Sequence, residues 1–289
     1  MANTTLSPTS GFPGGQLSNV GSIRNQGIEI TVGGKPIVTK NFSWTVSFNF
    51  AHNKNRVESL YQNKSISSSP FYYTVGHDLQ EFYLRQWAGV DPSNGDPNWY
   101  TDGTRKTKTN NYSATQLALT GYSAAPKYYG SFNNSFTYKN FSLDAQLFYN
   151  YGNYLYDRWG SYLNSDGAYY GAFNQMNTQL NAWKNPGDIT NVPKIIYGGN
   201  KNGYRASTRY IYKGDYVRLR NIQLNYVLPA SLMKKAYLKN VTIYVRGTNL
   251  FTFGVDKNVP FDPEAGINGI GNLEVFIPKT IAGGIKIGL

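Results

Sequence analysis

Cysteine is absent from this chain of 289 residues, and histidine occurs only at His52 and His77. The absence of cysteine excludes disulfides, thiolate metal sites and cysteine nucleophiles. The sequence contains no His-x-x-x-His pair, no Gly-x-Ser-x-Gly turn and no phosphate-cradling glycine-rich loop before a helical pattern. A lone strand carboxylate, Asp144, is more typical of a polar lining group than of a catalyst. We therefore expect a protein that is not an enzyme and that carries neither a cofactor nor a metal ion.

Long apolar runs are also missing: no stretch of eighteen or more apolar residues occurs, which excludes a transmembrane helix. Acidic residues are few, 16 against 28 lysines and arginines, and the net charge is +12. The basic residues are scattered and form no RNA-recognition, helix-turn-helix or zinc-finger pattern, so we expect no nucleic-acid partner. Such charges suit turns and loops that face anionic lipid headgroups.

Aromatic residues are abundant, with 25 Tyr, 15 Phe and 5 Trp. Tyr and Trp concentrate where one end of the ring lies in lipid and the other in water. Several segments of about ten residues alternate apolar and polar side chains, most clearly Phe42–Phe50, and this period predicts β-strands. About ten residues is also the length that a tilted strand needs to cross a bilayer.

The same alternation continues to the C-terminus, where Ile281, Ile285, Ile287 and Leu289 share one face of a predicted strand. A strand that alternates to its last residue suits a sheet that closes on itself, because closure removes the exposed edge.

Alternation predicts about nine strands, with residues 1–19 as a loop. Tight connections are predicted at 33–40, 91–97, 139–140 and 229–239, and long ones at 52–78, 102–126, 152–213 and 254–278. In Tyr216–Leu228 the apolar phase shifts near Arg220 and Asn221, which predicts a β-bulge. Short turns on one side and long loops on the other are typical of outer-membrane barrels. The predicted fold is all-β: an antiparallel transmembrane β-barrel segment with long extracellular loops and short periplasmic turns.

Five stretches, spread over nearly the whole chain, resemble the SusC/RagA family of TonB-linked outer-membrane transporters of Bacteroidetes-type bacteria. They are Asn19–Ile30, Trp87–Pro92, Asp215–Tyr226 with Leu228 and Pro229, Arg246–Phe253, and Asp262–Glu264.

The resemblance is to the C-terminal part of that family's barrel. It implies that 1–19 form the N-terminal edge of a fragment and 20–289 the C-terminal part of the barrel. The family's signal peptide and plug domain are then expected to be absent from this chain. Large transporters of this kind close with 22 strands, so about nine make a portion of a larger barrel. Ile281, Ile285, Ile287 and Leu289 then mark the C-terminal barrel-assembly strand, although the family usually ends in an aromatic residue.

The resemblance further implies a location in the cell outer membrane, in contact with its lipid, and uptake of nutrient oligomers, either glycans or peptides. A SusD-like surface lipoprotein would act as the lid, and TonB would act through the missing N-terminal part. This chain would supply barrel wall and extracellular loops.

Six aromatic residues in the longest predicted loop are candidates for contact with the substrate or the lid protein: Tyr154, Tyr156, Trp159, Tyr162, Tyr169 and Tyr170. Aromatic faces stack well on sugar rings and are common at protein interfaces. The plainer alternative, which is the more common role, is that they belong to an interface girdle or pack the loop itself.

A second function class also fits the composition: a secreted or surface β-sandwich that binds glycans as an adhesin or lectin. That alternative predicts shorter loops at both ends and a stable, soluble product.

Overall fold

The computed structural model describes residues 2–4, 8–11, 16–235, 238–264, 266 and 268–288, and within them the regular secondary structure is almost entirely β. The strands of the first part are β1 (Ala2–Thr4), β2 (Gln16–Ser18), β3 (Gly21–Val38), β4 (Phe42–Leu60), β5 (Ile66–Ser68), β6 (Phe71–Tyr73), β7 (Glu81–Leu84), β8 (Trp87–Val90), β9 (Pro97–Tyr100) and β10 (Lys108–Thr109). They are followed by β11 (Ala118–Ser123), β12 (Tyr128–Tyr138), β13 (Phe141–Tyr151), β14 (Tyr154–Asp157), β15 (Ile211–Lys213), β16 (Tyr216–Val227), β17 (Asn240–Phe253), β18 (Ile270–Gly271) and β19 (Thr280–Gly288). Two short helices, α1 (Gly160–Leu163) and α2 (Ala230–Lys235), interrupt them. Neither helix has the length and apolar character that crossing a membrane would need.

Seven strands form one large sheet in the order β19-β17-β16-β13-β12-β4-β3. The pairs β12–β4, β12–β13, β13–β16, β16–β17 and β17–β19 are all antiparallel. The all-β antiparallel prediction is therefore confirmed. Strands β19 and β3 stand at the two ends of this order.

One face of the large sheet is apolar and open to its surroundings. Phe136, Leu143, Leu224 and Val245 are register partners in a row across four strands. Leu224 is 48% exposed and Val245 54% exposed, although both belong to the middle of their strands. In a soluble antiparallel sheet the apolar face is packed on a core.

Aromatic rows bound this apolar face at both ends. Tyr138, Phe141 and Tyr226 are register partners at one end, and Tyr128 and Tyr151 at the other. Along β12, the two rows are about 34 Å apart at the usual rise of a strand. A tilt of roughly 40° shortens this to about 26 Å, close to the apolar band between the aromatic girdles of outer-membrane barrels.

The predicted bulge is present in β16. Gln146 pairs with Asn221 and its neighbour Leu147 pairs with Leu219, so Arg220 is an extra residue without a register partner on β13. The extra residue lets Leu219 share the apolar face with Ile222, which a strict two-residue period would forbid.

Elsewhere the sequence prediction was less accurate. Most of the tight connection predicted at 33–40 lies inside β3, and the chain reverses at 39–41, where Thr39 N donates to Phe42 O at 2.7 Å. The described residues contain nineteen strands against about nine predicted, and seven of the nineteen make up the large sheet. The predicted loops 52–78 and 152–213 contain ordered elements, including the last part of β4 and all of β5, β14 and α1. Within 1–19, the described residues include β1 and β2, which pair with each other.

The chain divides into two compact units. The first consists of residues 1–26, 54–125 and 156–211 and contains the sheets β11-β7-β6-β5 and β10-β9-β8. Its core is aromatic, with Phe82, Trp99 and Tyr210 at most 1% exposed. The second unit consists of residues 27–53, 126–155 and 212–289 and holds most of the large sheet.

Candidate functional site

Three of the six predicted aromatic residues lie together in the first unit. Trp159 immediately precedes α1, Tyr162 lies within it, and Tyr169 follows the next turn. The ring centroids of Trp159 and Tyr162 are 5.2 Å apart, and those of Tyr162 and Tyr169 are 5.1 Å apart. These separations are within the preferred range for aromatic pairs.

Two further rings complete this group, and the sequence analysis missed both. The ring centroid of Phe173 is 5.5 Å from that of Tyr162 and 5.8 Å from that of Tyr169. The ring centroid of Tyr204 is 5.3 Å from that of Tyr169. All five rings keep part of their surface exposed. We call Trp159, Tyr162, Tyr169, Phe173 and Tyr204 the aromatic cluster. Phe173 follows Tyr169 by one backbone turn, closed by Phe173 N donating to Tyr169 O at 3.3 Å.

The other three predicted residues lie outside the cluster. Tyr156 is 5% exposed with its ring 6.0 Å from that of Phe82, and its burial raises the pKa of the phenol to about 12. It packs the interior of its unit, as the plainer alternative predicts. Tyr154 is half-buried on the same strand. Tyr170 is 76% exposed, and its ring centroid lies 6.1 Å from that of Tyr197, which is 86% exposed.

A buried ion pair supports the turn that carries the cluster. Arg209 donates to both carboxylate oxygens of Asp166, at 2.5 and 2.8 Å, and neither side chain is more than 4% exposed. Asp166 adopts a left-handed conformation with φ of 53°, and its N–H donates to the side-chain oxygen of Gln179 at 3.1 Å. The Arg209 guanidinium also lies over the Trp87 ring, 5.2 Å from its centroid. This pair therefore joins the turn to the Trp87 motif noted in the sequence.

A second set of hydrogen bonds fixes Tyr169 directly. Ser165 donates from both its N–H and its hydroxyl to the side-chain oxygen of Gln175, at 3.0 and 2.9 Å. The Ser165 hydroxyl oxygen in turn accepts the Tyr169 N–H at 3.2 Å. Partial burial raises the pKa of the Tyr169 phenol, so it is a neutral hydrogen-bonding group at neutral pH.

The surface of segment 156–211 is predominantly positive. Its exposed ionic side chains are cationic: Arg158, Lys184, Lys194, Lys201 and Arg205. Of its three acids, Asp157 and Asp166 are buried and Asp188 is half-buried. Segment 156–211 therefore exposes both aromatic rings and basic groups, which can stack on flat rings and attract acidic groups.

In the second unit, the face of the large sheet opposite the apolar one is polar and concave. A concavity of about 520 Å³ is lined by side chains that include Asp144, Gln146, Asn221, Gln223 and Arg246. Asp144 accepts from Asn225 Nδ2 at 3.1 Å, and Arg246 donates to Gln223 at 2.6 Å. Asp144 is therefore a polar lining group, as the alternation of β13 predicts.

On β19, Ile281, Ile285 and Ile287 share the predicted face and are 75%, 64% and 60% exposed. Leu289 lies outside the described residues.

Comparison with known proteins yields no matching family profile. The chain is 29% identical over 280 residues to TonB-dependent receptor P3 of Formosa agariphila, a match that covers 86% of this chain and 26% of that protein. It is 26% identical over 273 residues to TonB-dependent receptor SusC of Bacteroides thetaiotaomicron, covering 88% of this chain and 25% of that protein.

Solved structures show the same likeness. The RagAB peptide importer in its "open-open" state matches with a TM-score of 0.86 and 28% identity, over 100% of this chain and 31% of that chain. The chain thus spans about a quarter to a third of the length of the proteins it matches. The resemblance to SusC- and RagA-like TonB-dependent receptors predicted from the sequence is confirmed, and these proteins are named as receptors and importers rather than enzymes.

Proposed function

We propose that this chain forms part of the wall of a SusC-like TonB-dependent transporter that takes up nutrient oligomers across the outer membrane. The observation that carries the proposal is the large sheet itself. Its apolar face is exposed between two aromatic rows, while its opposite face is a polar concavity. An apolar face toward lipid and a polar face toward a lumen is the arrangement of transmembrane barrels.

The wall belongs to a larger barrel. In the described sheet, β3 and β19 are the end strands, and β3 is exposed along all of its 18 residues. Exposed edges of this length recruit further strands. We infer that 20–289 are the C-terminal part of the barrel, that 1–19 are its N-terminal edge, and that the other strands and a plug lie outside this sequence. This chain covers 25–31% of the length of the proteins that it matches, which supports this assignment.

The partners follow from the same assignment: TonB as the energy source, a SusD-like surface lipoprotein as the lid, and outer-membrane lipid around the wall. The aromatic cluster and the exposed pair Tyr170 and Tyr197 would contact the oligomer or the lid. Stacking on sugar rings and packing on a protein surface both use such rings.

The glycan-binding β-sandwich is disfavoured by one observation. A sandwich packs its apolar face against a second sheet, with side chains interdigitating. Here Ile243, Val245 and Phe251 are 44–54% exposed on that face.

Localisation and uptake test the proposal together. A strain that lacks the gene is compared with its parent for uptake of fluorescent oligosaccharides and oligopeptides, with and without an intact TonB system. We expect the protein in the outer-membrane fraction, and uptake of one oligomer class that requires both the gene and TonB. A protein found in the soluble fraction, or uptake unchanged by the deletion for both classes, would overturn the proposal.

A further inference from the structure

An ionic cluster fastens the segment between β17 and β19 to the polar face of β16. Arg218, 2% exposed, donates from one terminal nitrogen to both oxygens of Asp262, at 2.8 and 2.9 Å. Its other terminal nitrogen donates to Glu264 at 2.9 Å, and its Nε donates to Thr252 at 3.0 Å. A guanidinium with this many partners holds them in a defined geometry.

Two more side chains of β16 converge on the same carboxylate. Arg220 donates to Glu264, and the Tyr216 hydroxyl donates to the Glu264 oxygen at 2.5 Å. Two guanidinium groups thus face two carboxylates, so the buried charge is balanced. We call Tyr216, Arg218, Arg220, Asp262 and Glu264 the clasp.

The alternation of β16 places the three strand residues of the clasp on one side. Arg218 and Arg220 both reach Glu264 while Leu219 between them stays on the apolar face, and the bulge at Arg220 then returns Ile222 to that apolar face. The two sequence stretches joined here, Asp215–Tyr226 and Asp262–Glu264, are among those that carry the family resemblance.

The fastened segment is packed as well as paired. Phe261 and Ile270 are 6% and 3% exposed. A Cβ at Gly271 would stand 2.5 Å from the Phe261 ring, so only glycine allows this contact. Asp262 also accepts the Glu264 N–H at 3.0 Å, which shapes the turn that presents both carboxylates.

We propose that the described residues of segment 254–278 form a constriction on the inner, polar side of the barrel wall, and that the clasp is what positions them there. This inference rests on the proposed function, because that function makes the polar face the side along which substrate passes. The clasp residues are positioning residues, and the segment they hold sets the size of oligomer that passes.

The first test measures release of the segment. The chain has no cysteine, so Ile270→Cys introduces a single thiol at a buried position of the segment. Labelling of this thiol by a membrane-impermeant maleimide is measured on intact cells, alone and combined with Arg218→Met. We expect Arg218→Met to speed labelling by at least about tenfold, because it leaves the buried Asp262 carboxylate without its guanidinium partner and removes one of the two guanidinium groups that bind Glu264.

Arg246→Met is the matched control, since Arg246 lies on the same face, is exposed and has a single bond to Gln223. It should leave the labelling rate unchanged. If Arg218→Met prevents assembly, Glu264→Gln provides the second variant: it keeps the pair of Arg218 with Asp262 and should give a smaller increase. If Glu264→Gln is then labelled at the same rate as the parent, the clasp does not hold the segment. The same conclusion follows if Arg218→Met and Arg246→Met are labelled at the same rate.

The second test measures the constriction. Uptake of labelled oligomers of increasing length is compared in the parent and the Arg218→Met or Glu264→Gln variant. We expect the variant to accept longer oligomers. Faster labelling with an unchanged length profile would refute the constriction and leave the clasp and the proposed function intact. Absence of uptake in the parent would refute the proposed function, and the labelling result would still report on the clasp.

Discussion

Among the residues that the structure describes, two arginines are almost fully buried, and each is neutralised by carboxylates that are distant in sequence. Arg209 pairs with Asp166 across 43 residues, and Arg218 pairs with Asp262 across 44. Burial makes such pairs sensitive to the loss of one partner, because the remaining charge has no water to solvate it. Exposed pairs, such as that of Lys201 with Asp96, lack this sensitivity.

This contrast gives a stability prediction for the support of the aromatic cluster. Asp166→Asn should lower the free energy of unfolding by about 3–5 kcal/mol, since it leaves the Arg209 guanidinium buried without a counter-charge. Lys201→Met breaks an exposed pair and should cost about 0–1 kcal/mol. Urea unfolding followed by tryptophan fluorescence, on protein reconstituted in lipid vesicles, measures both. Similar small costs for the two variants would contradict the role given to the buried pair.

A pH dependence follows from Tyr156. Its phenol has a pKa raised from 10.0 to about 12 by burial, so the folded chain holds this proton after the unfolded chain has lost it. The stability that Tyr156 contributes is therefore complete below pH 10 and is lost as the pH rises through 12. Tyr156→Phe should unfold less steeply with pH over this range than the parent. Parallel curves for the two proteins would show that the residue does not titrate as described.

The exposed pair of tyrosines gives a binding prediction. Under the proposed function, replacing Tyr170 and Tyr197 together by alanine should weaken binding of an oligomer or of a lid protein, because stacked aromatic contacts are lost. Tyr61→Ala, at a tyrosine that is 61% exposed and outside the cluster, is the control. Affinity is measured on the purified protein with labelled oligomers and with a candidate surface lipoprotein. An unchanged affinity for both ligands in the double variant would remove this pair from the site.

At the scale of elements, the alternation of apolar and polar residues predicted the structural features that depend only on residues close together in the sequence. The terminal strand and the bulge at Arg220 were both found from the spacing of apolar side chains, because the register of a strand shows directly which residues share a face. The support of the aromatic cluster was not predictable in this way. Tyr204 is 35 residues from Tyr169, and no local pattern marks Asp166 as the partner of Arg209. Several small strands of the first unit, β5, β6, β10 and β11, were missed because the predicted loops 52–78 and 102–126 that contain them are rich in polar residues.

The two faces of the large sheet can be tested with adjacent residues of β13. Leu147 lies on the apolar face between Phe132 and Leu219, and Gln146 lies on the polar face opposite Asn221. Leu147→Arg should cost about 2–4 kcal/mol, the depth-dependent penalty for a charge near the middle of the bilayer. Gln146→Arg should cost little. The readout is the heat-modifiable folded band recovered from outer membranes. If Gln146→Arg reduces the recovered folded band more than Leu147→Arg does, then Gln146 faces the lipid and the faces have been assigned the wrong way round.

At the scale of the whole molecule, the open apolar face and the two end strands predict how the isolated chain behaves. Expressed alone in water, this 289-residue chain should not give a folded soluble monomer, because detergent or lipid must cover the face that includes Ile243, Val245 and Phe251. Analytical ultracentrifugation with and without detergent measures this. A soluble monomer with sharp melting and dispersed NMR signals would support a self-standing β protein instead.

The order of strands in the large sheet also sets a kinetic expectation. β12 and β13 are joined by a two-residue turn, and β3 and β4 by a short one, so these hairpins form from contacts local in the chain. The pairings of β4 with β12 and of β13 with β16 instead close excursions of more than sixty residues. Closing long excursions has a high entropic cost and slows folding. The sheet should therefore assemble from preformed hairpins, and the pairings of β4 with β12 and of β13 with β16 should be its slow steps.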